Sequence, residues 1–590
     1  MPAPVQVAYT PIHKPRVGEN NYQGFAPGRQ EILPKGWKLC HETKALTEDL
    51  LVEHDVEIVV RDGCRLYVDI YRPANSSEKV PAIMGWSCYG KKYSSYHMFP
   101  RVVWNVCVNP SDLSGLEKFE GLDPQLWCPR GYAIISVDSR GTGNSDGQIP
   151  LMGSQDGEDG YDVVEAIAAK PWCNGRVGLA GNSALAISQW FTAQLAPPSL
   201  AAIAPWEGAA DIFREQFCRG GIFSMSNFEM ITEKSIRGGS GVEDLAEMYR
   251  RCKTSNTYWE DKRADMSNIQ CPTFIVGSDL SSIHTMGSIR GWMEITHANK
   301  WIRWSGYQEW FELYCNKEMD AELHQFFDRY LIGIENDWEK TPQVRWTSLQ
   351  FGDRNPRENL VYDNFPIPQT DYRELFLHEN TLIQEPASSA SSLSYNSEDP
   401  QNFAEFSFTF TDASRLIGLP KATLYMSCKE HDDMCVYVII RKKGRDGTPL
   451  MHLNFPREVT PVQRIADIKP EQRTSTTLFL GPTGQLRASH RNYDLSKSIH
   501  PQFPFHPHDT EDKVTPGEIV KLEIGIWSMG IDFEAGETIS IRVGGVFPSI
   551  AEYSAYHNPR PEEERNKGVH TIHFGPEHRS SIILPFIPLK

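Results

Sequence analysis

The chain has 590 residues and a formal net charge of −17 at pH 7, enough for two or three cores, because one core rarely outgrows about 250–300 residues. So acidic a chain is repelled by nucleic acid and by anionic membrane surfaces, and no apolar run reaches the roughly 20 residues of a membrane span. The N-terminal MPAPVQVAYTPIHKPRVGE has no apolar stretch of the secretory kind, and the 12 cysteines form neither a C-x-x-C pair nor a Cys/His ligand spacing. The expectation is a cytoplasmic protein with reduced thiols, no metal and no cofactor.

Residues 1–50 are rich in Pro, Gly and charge and read as an arm laid over the body. From Val56, HDVEIVV, the Asp62-Gly63 turn and CRLYVDIYRP predict a hairpin. PAIMGWS (81–87) and GYAIISVDSRGTG (131–143) read as buried strands, followed by an amphipathic helix from Gly160 to Lys170 and the strand RVGLAG. After AAIAPWEG, residues 209–266 have helical periodicity and predict a cap over the core. CPTFIVGSD and KWIRWSG restore strands, each followed by a helix. Strands alternating with helices over 51–208 and 267–345 predict a parallel sheet. Beyond 345, EPASSASSLSYNSEDPQ (385–401) reads as an exposed loop, and the short strands after it predict a β-sandwich over 346–590.

Within the core, residues 178–188 read GLAGNSALAIS. A strand ends at a glycine, a serine follows one residue later, and a helix-forming stretch starts at Ala184. This is the strand–turn–helix order of a nucleophile elbow, which exposes Ser183 Oγ beside the free N–H groups of a helix N-terminus. The usual pattern G-x-S-x-G is broken at Leu185.

RDGCRLYVDIYRP, SCYGK, DSRGTGNSDG, EDGYDVVEAIAAKPWCNGRVGLAGNS and TPGEIV together resemble the CocE/NonD group of α/β-hydrolases, related to cocaine esterase and X-Pro dipeptidyl-peptidases, with fungal versions looking most similar. The resemblance runs from about residue 50 to the C-terminus. It implies an α/β fold: an α/β-hydrolase core with a helical cap insertion, plus a C-terminal all-β jelly-roll sandwich. It also implies Ser183 as nucleophile, with the Ala184 N–H and the Tyr89 hydroxyl as oxyanion donors. Asp279, at the end of strand 271–277, fits the acid's place with a one-residue offset. Trp86, Ser305 and Tyr307 are assigned to the pocket wall.

The base is the difficulty. Counting back from Trp310 puts Ser305 where the family has its histidine. His284, just after Asp279, is the nearest substitute by sequence, although its His-Thr pair also occurs in relatives that keep the usual base. His570 and His573 lie close together on a strand and read as structural, because no third ligand stands at recognisable spacing.

Two functions follow. One is a serine hydrolase or acyltransferase acting on a small-molecule ester or amide, a secondary metabolite. The other is a non-hydrolytic cyclase, isomerase or pericyclase on the same fold, favoured by the missing histidine and by the small Ala184, where the family carries a large ring. The partner expected is a small-molecule substrate, with homo-oligomer formation left open.

Overall fold

The computed structural model describes residues 5–76, 78–225, 228–548, 550 and 562–589. Its N-terminal part is built on eleven strands among the described residues: β1 (Gln30–Leu33), β2 (Leu50–Val59), β3 (Arg65–Pro73), β4 (Val80–Ser87), β5 (Ala133–Asp138), β6 (Cys173–Asn182), β7 (Leu200–Trp206), β8 (Thr273–Ser278), β9 (Lys300–Ser305), β10 (Val344–Ser348) and β11 (Arg357–Tyr362). They pair in the order β11-β10-β9-β8-β7-β6-β4-β5-β3-β2-β1. From β10 to β5 all neighbours are parallel, while β3, β2, β1 and β11 add antiparallel edges. The inner strands are buried on both faces, as helices covering a parallel sheet require.

Three features of this part differ from the sequence reading. The N-terminal arm is partly built into the sheet, because β1 pairs with β2. The sheet also runs past residue 345, through β10 and β11. Helix α1 (Ser154–Ala168) starts ahead of Gly160, and its glycines are there for contact: a Cβ on Gly157 would stand 2.4 Å from the Phe191 carbonyl. That carbonyl belongs to α2 (Ala184–Ala193), the helix after the elbow.

The segment expected as a helical cap holds Phe228–Lys234, Leu245–Arg251 and Thr257–Glu260 as helices. It also holds a short strand, Gly241–Glu243, which pairs with Tyr9–Pro11 of the arm. Helix α3 (Thr285–Glu294) follows β8, and α4 (Glu309–Cys315) follows β9.

The C-terminal domain is all-β, its strands running from Asp371–His378 to Ser581–Ile587 around a core that includes Leu424, Met426, Val438 and Ile541. The Ser-rich segment is not simply a loop: Ser391–Asn396 forms an edge strand against Val569–Phe574. Ser392, Ser394 and Asn396 are exposed, while Ser391 and Leu393 are half-buried and Tyr395 is buried, the alternation of a one-sided strand. Here His570 meets the Tyr395 hydroxyl at 3.3 Å and His573 meets Ser427 Oγ at 2.8 Å. The two domains are joined near the sheet's C-terminal edge. There the Gln308 N–H donates to the Asn454 carbonyl at 2.8 Å, and His452 Nε2 meets the Gly306 carbonyl at 2.8 Å. Among the described residues, no helix is long and apolar enough to cross a membrane.

Candidate active site

Ser183 sits between β6 and α2 with φ 52° and ψ −117°, a backbone conformation costing about 1–3 kcal/mol for a residue with a Cβ. Its N–H is held by the carbonyls of Trp206 and Glu207, at 3.2 and 3.0 Å. Glu120 and Glu207 also have positive φ, 68° and 55°. All three residues line one cavity.

The turn tolerates Leu185 because its neighbours are glycines. A Cβ on Gly181 would lie 2.7 Å from Leu185 Cβ, and one on Gly85 would lie 3.2 Å from Leu185 Cδ2. The space normally left by a glycine after the nucleophile has moved across to the facing strand.

The cavity lies between the C-terminal ends of the core strands and the β-domain, with Phe119, Trp310 and Ile231 among its apolar walls. His284 precedes α3, and its Nε2 lies 3.0 Å from Ser183 Oγ. Its other nitrogen, Nδ1, accepts the Ala209 N–H at 3.3 Å. A backbone N–H can only donate, so Nδ1 carries the lone pair and the proton of the neutral ring is on Nε2. In this arrangement His284 donates to Ser183. Burial pushes its pKa down to about 3, which keeps the ring neutral.

Ser183 therefore retains its own proton to give, and a carboxyl faces it. Glu120 is buried, and its Oε1 accepts the Trp310 indole N–H at 3.1 Å. Its main-chain carbonyl accepts the N–H of Asn182, next to the nucleophile, at 3.1 Å. Burial pushes the Glu120 pKa up to about 8, against the opposing pull of Trp310, the Ala184 N–H and the Ser183 hydroxyl. Its Oε2 is buried without a hydrogen-bond partner of good geometry. Glu207 and Glu309 line the same cavity, and burial raises both carboxyls well above the ordinary range, helped by their mutual repulsion and by that between Glu309 and Glu120.

The predicted residues separate into two groups. Ser183, His284, Asp279 and Tyr89 all line the cavity. Burial and nearby carboxyls hold the Tyr89 pKa well above 10, so its hydroxyl keeps its proton. The Ala184 N–H, expected to point at an oxyanion, acts on Glu120 instead. Asp279 is not the partner of His284: its Oδ1 accepts the Trp304 indole N–H at 3.0 Å, and the imidazole nitrogen it would orient is taken by Ala209.

Trp86, Ser305 and Tyr307 lie outside the cavity lining. Trp86 is buried with its indole N–H on Asp156 at 3.2 Å. Ser305 donates to Glu312. Tyr307 is directed at Glu358, whose charge helps burial raise the phenol pKa. Sequence reasoning missed Glu120 and Glu207. The available signal was an acidic residue directly before glycine, in FEGL and PWEG, at positions with little reason to bury a charge.

The N-terminal part matches the family model described as X-Pro dipeptidyl-peptidase (S15 family) over residues 62–240. The X-Pro dipeptidyl-peptidase C-terminal non-catalytic domain matches over 336–583. The chain is 32% identical over 164 residues to cocaine esterase of Rhodococcus sp. (strain MB1 Bresler), covering 28% of this chain and 25% of that protein. It thus spans about a quarter of that curated relative. The crystal structure of a CocE/NonD family hydrolase from Staphylococcus aureus superposes with a TM-score of 0.82 at 30% identity, over 92% of this chain and 94% of that one. An α-amino acid ester hydrolase shares the fold at 14% identity and a TM-score of 0.66, over 91% of this chain and 97% of that one. Matching a hydrolase of this family along nearly its whole length, the chain belongs to the CocE/NonD family of α/β-hydrolases.

Proposed function

We propose that the protein is a serine hydrolase acting on an ester or amide of a largely apolar small molecule, a natural-product intermediate. Ser183 is its nucleophile. The observation that carries this reading is the strained elbow, which presents Ser183 Oγ to a cavity with His284 Nε2 at 3.0 Å. The family supports ester or amide chemistry, and the apolar walls Phe119, Ile231 and Trp310 support the substrate class.

The proton path follows from the tautomer. Because His284 donates, the base is Glu120, whose pKa of about 8 suits proton transfer near neutral pH. Ionised Glu120 takes the Ser183 proton as Oγ bonds to the acyl carbon. The Tyr89 hydroxyl and His284 Nε2–H then stabilise the developing oxyanion. Glu120 returns the proton to the leaving oxygen or nitrogen as that bond breaks. Water then repeats the sequence and releases the acid.

A fluorophosphonate probe tests the reading: one adduct is expected by intact mass, mapping to Ser183 and absent in Ser183→Ala. A second reading, acid–base catalysis without an acyl-enzyme, is favoured by the buried carboxyls of Glu207 and Glu309 beside the cavity, whose pKa values burial raises well above the ordinary range. Turnover that survives Ser183→Ala, with no adduct on the wild type, decides for it.

A further inference from the structure

A second cavity shares Trp527 with the first, and it contains a cation that has no counter-ion among the described residues. Arg219 is 8% exposed. Its guanidinium donates to Thr483 Oγ1 at 3.0 Å and to the Thr483 carbonyl. It also lies over the Trp527 ring, 3.9 Å from the centroid. Burial alone acts on its charge, with no carboxylate among the described residues to oppose it, and pulls its pKa down to about 9.

The neighbouring charges are already matched. Arg214 pairs with Asp211 and Glu260 at 3.0 and 2.8 Å, Arg290 with Glu294 and Glu215 at 2.9 and 3.4 Å, and Arg263 with Asp211 at 3.3 Å. Lys497 stands 4.0 Å from Asp494, which leaves Arg219 as the cation of this wall without a carboxylate partner among the described residues.

The guanidinium is also rigidly placed. The Arg219 carbonyl accepts the Gln485 side-chain amide at 2.8 Å. A Cβ on Gly220, the next residue, would stand 2.1 Å from the Gln485 main-chain oxygen. The segment is thus pressed against the β-domain and cannot carry the charge out to water. Two of the five guanidinium donors are spent on Thr483, leaving three. Lys497, His506 and His508 also line the cavity, together with the apolar side chains of Met286, Ile499, Phe503, Phe505 and Trp527.

A buried charge without a partner is costly, and a ligand that supplies the partner recovers that cost. We propose that this cavity is a binding site for a small aromatic carboxylate, its carboxylate on Arg219 and its ring among Phe503, Phe505 and Trp527. Trp527 also lines the Ser183 cavity, so it is the wall between the two sites.

Calorimetric titration of the full chain with phenylacetate, and with uncharged phenylacetamide, tests the site. Phenylacetate is expected to bind at least tenfold more tightly than the amide. Arg219→Gln is expected to abolish that preference, and Ser183→Ala to leave it unchanged. Equal affinity for the two probes, no measurable binding of phenylacetate, or a preference that survives Arg219→Gln would each overturn the proposal. Should Arg219→Gln not fold, Ile499→Trp fills the cavity and keeps the charge: loss of phenylacetate binding supports the site, and retention refutes it.

Discussion

The indole N–H of Trp304 donates to Oδ1 of Asp279 across 3.0 Å, so the carboxyl at the end of β8 is tied to β9 and not to the histidine beside Ser183. Ser528 and the Gly530 N–H also act on it, and burial nonetheless raises its pKa to about 7. An acid that orients a catalytic histidine is worth about 10⁴-fold in turnover. Asp279→Asn is therefore expected to lower kcat/KM by less than about tenfold, measured on any ester the wild type hydrolyses. A loss of three or more orders of magnitude would restore Asp279 to the triad.

His284 is predicted to act as a donor. Glutamine keeps an N–H of similar reach, whereas leucine removes it. His284→Gln should stay within about tenfold of wild type, and His284→Leu should fall about a hundredfold or more, the cost of one oxyanion donor. Equal inactivation of both variants would mean that the ring takes the Ser183 proton.

Stability should report the Glu120 carboxyl as well. Its folded pKa is raised from the usual 4.5 to about 8, so between those values the unfolded chain is ionised while the folded one keeps its proton. A raised pKa of this kind contributes stability below about 4.5 that is lost as pH rises through the folded value. Glu120→Gln does not titrate. Its melting temperature relative to wild type is expected to climb steadily from pH 5 to pH 8, and a constant difference would show that Glu120 is ionised throughout.

Leu185 fills the gap left by glycines 85 and 181 and is 1% exposed. Leu185→Ala should cost about 3 kcal/mol, read from denaturant melts. Labelling by the fluorophosphonate should persist, because the turn itself is held by the Ser183 N–H. A cost under about 1 kcal/mol would mean that the elbow packs around some other side chain.

The sequence showed the elbow, the alternating sheet and the β-domain because each is local: a strand ends at a glycine, or apolar residues recur with a fixed period. Tyr89 and Ser183 reached the cavity for the same reason, carried by short motifs at strand ends. The wall residues did not. Trp86 and Tyr307 are aromatic residues near those motifs, but their polar ends are taken by Asp156 and Glu358, which are distant in sequence, and no spacing reveals that. The Glu120 carboxyl is the reverse case. It lies far from Ser183 in sequence, and only the fold brings it beside Asn182. Nor could sequence fix the tautomer of His284, which depends on one main-chain N–H in the segment after β7.

The most direct test is the pH dependence of the rate at which a fluorophosphonate labels Ser183. The rate is expected to rise with a pKa near 8, the rise being lost in Glu120→Gln and kept in His284→Gln. A rise that survives in Glu120→Gln and disappears in His284→Gln would contradict Glu120 as the base.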